Sequence, residues 1–163
     1  MSSHGFCFLV KNRGGSVRAS SPSDDQHLNH PVALAGTVDG HSLRLFVDGR
    51  QVDRTEFRND FVHSGQKMSF GASPGEGEPH DGYNQESIGR LYEVRIANVA
   101  REKITSDVNL PLTSDDHTLA YYRVDEGSGD VFQDSYGNEN HGSNVGATWL
   151  KAVESPASTK SPE

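Results

Sequence analysis

Residues 31–52 read PVALAGTVDGHSLRLFVDGRQV, an extended run with apolar residues at alternate positions, broken twice by Asp-Gly. Val32, Leu34, Gly36 and Val38 fall on one face of such a segment, and Ala33, Ala35 and Thr37 on the other. Asp39-Gly40 follows directly, a pair able to take the positive φ values of a two-residue hairpin turn. The return strand is Ser42 to Val47, with Leu43, Leu45 and Val47 facing one way and Ser42, Arg44 and Phe46 the other. Asp48-Gly49 reverses the chain again, and Gln51-Val52 opens another extended piece. The pattern predicts an antiparallel meander of short strands.

The composition agrees. The chain has 163 residues, enough for one ordinary domain, and seventeen glycines and seven prolines, which suit short strands and tight turns. Its hydrophobic fraction is 33% and its mean hydropathy −0.68. So small an apolar stock fits a sheet with one solvated face. The net charge of −8 repels phosphate backbones and anionic lipid, which argues against nucleic acid or a membrane surface as partner. No apolar run reaches the ~18 residues of a membrane span, and the N-terminus has no signal-peptide pattern. The only cysteine, Cys7, lies in GFCFLV and reads as a small buried hydrophobe.

Elsewhere the sequence predicts strands at 5–10, 16–19, 67–71 (KMSFG), 87–97 (SIGRLYEVRIA) and 119–124 (LAYYRV), with one or two helical turns in NVAREKITSDV. Residues 20–31, 53–67 and 72–85 read as polar, irregular segments, and the last of these as a long exposed loop of the kind that carries function. Residues 151–163 read as a tail or linker following one domain over 1–150.

Four of these segments resemble the laminin G-like, concanavalin A-like jelly rolls. ALAGTVDGHSLRLFVDGRQV is similar to the family's double Asp-Gly hairpin, MSFGAS to its glycine-ended strand, and SIGRLYEVRIANVAREKI to its strand and turn ending in Glu-Ile. LAYYRVDEGSGDVFQDSYGNENHGSNVGATW is similar to the segment that often opens such a module, although here it lies late in the chain. The resemblance implies an all-β sandwich of two antiparallel sheets. Because first and last strands are neighbours in such jelly rolls, the strand at 119–124 is expected beside 87–97; the other arrangement is the back of one module running into the front of the next. An open sheet edge would invite self-association.

The same resemblance implies a non-catalytic binding or adhesion module for carbohydrate or a surface protein, located extracellularly, in a periplasm or on a cell surface. The alternative is a structural spacer of a larger protein, without a ligand of its own. Hydrolases of this fold carry Glu-x-Asp-x-x-Glu on a strand, and no such run occurs here; a retaining pair would stand about 5 Å apart. His27 and His30 lack the context of a zinc site. Tyr83, with Asp81 and Asn84 beside it, is the expected ligand contact in the long loop. Tyr121 or Tyr122, and Trp149, are expected in the core. Asp134, Asn138 and Asn140 place oxygen-bearing side chains around a glycine and are the candidate ligands of a structural Ca2+, a hard cation that prefers oxygen.

Overall fold

The computed structural model describes residues 5–12, 15–22, 29–58, 68–70, 89–104, 108 and 111–150. All regular elements among them are strands, and every pairing is antiparallel. The chain divides into two compact units, one comprising Met1–Ile88 and Asn98–Pro111, the other Gly89–Ala97 and Leu112–Glu163.

The first unit contains strands β1 (Cys7–Asn12), β2 (Gly15–Ser20), β3 (Leu34–Val38), β4 (Ser42–Val47) and β5 (Arg50–Glu56). β1 and β2 form a hairpin, and β3-β4-β5 a meander with β4 in the middle. The hairpin packs on the meander around Ala19, Leu43 and Leu45, with Phe6, Phe8, Val10, Val17, Val38, Val52 and Phe57 against them. Strand periodicity explains the set: Phe8 pairs with Ala19 and Val10 with Val17 on one face of the hairpin. Cys7 therefore points the other way and is exposed, which corrects the expectation that its apolar neighbours bury it.

The two Asp-Gly corners differ in kind. Asp48 and Gly49 both have positive φ, 49° and 74°, between the paired residues Val47 and Arg50, as a type I′ turn requires. At the first corner only Gly40 is positive, at 89°, and the Asp39 amide donates to the Ser42 carbonyl at 3.2 Å. The two-residue loop there is Gly40-His41, with glycine at its first position in the manner of a type II′ turn, and Asp39 ends the incoming strand.

β5 extends through residues 53–56, which the sequence suggested were irregular. It is polar because it is held by side-chain bonds as well as by its ladder: Asp53 Oδ2 accepts the Ser20 amide at 2.8 Å, and Thr55 Oγ1 donates to the Arg18 carbonyl at 2.9 Å. The register slips between Leu45 and Phe46, so that Val52 is the extra residue of a bulge and joins the core. β4 is buried on both faces, since Ser42 and Phe46 are enclosed as well as Leu43 and Leu45. On the central strand the expected solvated face is thus narrowed to Arg44, the one residue of β4 that stays partly exposed.

The second unit contains β6 (Val94–Ala97), β7 (Thr118–Tyr122), β8 (Val131–Phe132) and β9 (Gly142–Ser143). β7 lies against β6, from Val94 opposite Tyr122 to Ala97 opposite Thr118, the neighbour relation expected of the late strand. Ala120 and Tyr121 are buried. Trp149 is half-buried, its ring 5.0 Å from that of Phe132 and its Nε1 donating to the Gly129 carbonyl at 2.7 Å. Three expectations fail. Met68 to Phe70 are exposed and outside any strand, β6 is shorter than 87–97, and residues 98–104 form no helix. Each had only a short or mixed pattern, which a loop satisfies equally well.

A Cβ built on Gly36 would lie 2.4 Å from the Phe8 ring, so the hairpin's aromatic sits directly on the β3 backbone. Gly36→Ala is expected to destabilise by about 1–3 kcal/mol through this overpacking. The reading is a lower urea midpoint at unchanged slope. Equal or greater stability would show that the ring does not rest there.

Candidate functional site

Two sites emerge, one on the outward face of β4-β5 and one along β7. On the first, Arg44 and Arg54 are cross-strand partners, an arrangement that like charges disfavour. Each is offset by a carboxylate: Arg44 pairs with Asp39, and Arg54 with Glu56 at 2.6 Å. Together with Gln51 and Glu102 the two arginines line an open, polar depression. Its guanidinium, amide and carboxylate groups offer donors and acceptors to a ligand rich in hydroxyl or carboxyl groups. Sequence reasoning had Arg44 on this face but missed Arg54, because a polar strand carries no apolar beat.

Asp39 shapes the edge of the depression. Its Oδ1 accepts the His41 and Ser42 amides at 2.9 and 2.7 Å, and its Oδ2 the Ser42 hydroxyl at 2.9 Å and the Arg44 guanidinium. The two amides, His41 first, hold its carboxyl well below the ordinary range.

The second site gathers Asp134, Asn138 and Asn140. Asp134 is buried; its Oδ1 accepts the Tyr121 and Tyr136 amides, both at 3.0 Å, and its Oδ2 the Asn140 amide at 3.3 Å. The Asp134 amide in turn donates to His141 Nδ1 at 3.1 Å. Asn138 and Asn140 both donate their side-chain amides to the Leu119 carbonyl, at 3.0 and 2.8 Å. Burial alone would raise the Asp134 pKa, but the amides of Tyr121, Tyr136, Asn140 and Asn138 outweigh it and hold the carboxyl below its ordinary value.

This arrangement does not fit a calcium ion. The carboxylate oxygens already accept N–H groups, and the two amides present hydrogens, not oxygens, toward β7. Among the described residues, no group of three or more His, Cys, Asp or Glu side chains is placed to hold a metal. Tyr83, Asp81 and Asn84 lie outside the described residues. Tyr121 is buried, and Glu93 takes a hydrogen bond from its hydroxyl while accepting the Leu112 amide at 2.7 Å. Its pKa is raised, by burial first and by Glu93 next. Tyr122 is half-buried, so the core role expected of one of this pair belongs to Tyr121.

The fold defines a class: an antiparallel β-sandwich protein. More narrowly, the chain belongs to the concanavalin A-like lectin/glucanases superfamily, whose laminin G-type family model matches residues 1–104. Neither the curated proteins nor the solved structures give a match. Domains of the laminin G type are generally non-catalytic binding or structural modules, although the superfamily includes glycosidases. Among the described residues no helix is long and apolar enough to cross a membrane.

Asp134 makes stability acid-sensitive in a defined direction. A carboxylate whose folded pKa lies below its unfolded value of about 3.9 stabilises the fold above that value and ceases to do so as pH falls through the folded pKa. Unfolding free energy measured in urea should therefore decline as pH drops below about 4. Asp134→Asn should cost on the order of 2 kcal/mol at pH 7 and flatten the decline. An unaltered pH profile in that variant would refute the assignment.

Proposed function

We propose that the protein is a non-catalytic recognition module that binds a carbohydrate chain or the surface of another protein outside the cell. The observation that supports it most is the polar depression of Arg44, Gln51, Arg54 and Glu102 on the outward face of a sheet whose other face is core. A ligand there meets fixed donors on two rigid strands, which costs little ordering on binding. Residues 72–85, which the sequence alone reads as a loop, hold the second contact in this reading, Tyr83 with Asp81 and Asn84, the tyrosine supplying a flat apolar surface for a sugar ring.

Guanidinium pairs suit ligands bearing hydroxyl and carboxyl groups, since each presents several N–H donors in a fixed plane. The acidic total charge selects against polyphosphates, so neutral or mildly acidic saccharides and basic protein surfaces are the preferred partners.

Binding to broad glycan and extracellular-matrix protein panels tests the reading. The folded chain should give at least one reproducible ligand, and Arg54→Ala or Tyr83→Ala should weaken it about tenfold, equivalent to roughly 1.4 kcal/mol. No binding at millimolar concentrations by the folded chain would leave the spacer role instead. Retained affinity in both variants would move the site away from these two surfaces.

A further inference from the structure

One edge of β7 faces β6, and the other faces the loop 134–140. Along that second edge Leu119 and Tyr121 point their backbone groups outward, where a further strand would pair. The loop bonds three of those groups, the Tyr121 amide and carbonyl and the Leu119 carbonyl, without being a strand. Asp134 accepts the Tyr121 amide at 3.0 Å, the Ser135 amide donates to the Tyr121 carbonyl at 2.7 Å, and the side chains of Asn138 and Asn140 donate to the Leu119 carbonyl. A single bridge, Tyr122 to Asp134, is the only strand-like pairing between them among the described residues.

The covered segment, Thr118-Leu119-Ala120-Tyr121-Tyr122, contains no charge, proline or glycine. Uncharged β-forming runs of this sort add strands readily once their edge is bare. Self-pairing is geometrically available. About a two-fold axis through Ala120, an antiparallel copy sets Leu119 opposite Tyr121, the two residues whose backbone groups face outward.

We propose that the loop 134–140 is a plug on the β7 edge, and that β7 is a latent pairing surface for a second copy of this chain. Beside the Ser135 backbone amide, the plug works through side chains: a carboxylate replaces a missing carbonyl, and two side-chain amides replace a missing N–H. It therefore fails when those groups change, although the strand itself stays intact. The loop's Asp and Asn residues, suggestive of cation binding in sequence, act on the protein's own backbone.

The test measures the weight-average mass of the full chain by light scattering or sedimentation equilibrium at several protein concentrations. Circular dichroism establishes that each variant is folded. Asp134→Asn keeps the side chain's size but sets a donor against amide donors. Asn138→Ala with Asn140→Ala removes the other half of the plug while leaving the buried carboxylate in place. Either variant, if folded, should show a concentration-dependent doubling of mass relative to the unaltered chain. Adding Leu119→Lys, which places a charge at the exposed edge position, should return it to the starting mass. Folded variants that keep the unaltered mass overturn the proposal, as do assemblies that persist with Leu119→Lys. Should Asp134→Asn fail to fold, the asparagine pair decides by the same criteria.

Discussion

An aspartate carboxylate that accepts backbone N–H groups is the interaction on which this protein repeatedly depends. Asp39 takes the amides of His41 and Ser42 at the first hairpin corner, and Asp48 takes that of Ala33 where the second corner meets β3. Asp53 ties β5 to the Ser20 amide of β2, and Asp134 holds Tyr121, Tyr136 and Asn140. Short strands leave many amides beyond the reach of a ladder, and a buried amide without a partner is costly. A carboxylate bond is stronger than a neutral one and needs only a short side chain. Part of the acidic balance, which suggests solubility or a cation when read as a total, is thus structural.

The small apolar stock is spent narrowly. In the first unit the cluster where hairpin meets meander is Ala19, Leu43 and Leu45, with partly buried residues around it. Two devices enlarge it without more apolar residues. The bulge turns Val52 inward from a strand that is otherwise polar, and Gly36 lets the Phe8 ring approach the β3 backbone. The same placement leaves Arg44 and Arg54 opposite each other on the outward face, on strands rather than loops, where a recognition surface gains from a fixed backbone.

Other features depend on geometry that no local pattern records. Val124, a β-branched residue, sits at φ 53° just after β7, in a region such residues avoid. Among the described residues Thr37 Oγ1 and Glu126 Oε2 are buried atoms without a hydrogen-bond partner, Thr37 on the face of β3 opposite Gly36. Chain-local preference would place none of these where they are; packing of distant segments overrides it.

By itself the sequence determined the strand class, the double hairpin at 31–52 and its inward pair Leu43 and Leu45, because period-two alternation and Asp-Gly corners act between near neighbours. It also indicated that β7 lies beside β6. It misjudged Cys7, the strand at 67–71 and the turns after Ala97, where short runs carry no distinguishing period. Only tertiary structure decided that polar residues 53–56 form a strand, that Arg54 stands opposite Arg44, and that Asp134, Asn138 and Asn140 converge on β7. Those outcomes rest on contacts between residues far apart in the chain, such as Arg18 with Thr55 and Leu119 with Asn140, and a carboxylate's partner is set by whichever backbone group the fold brings within about 3 Å of it.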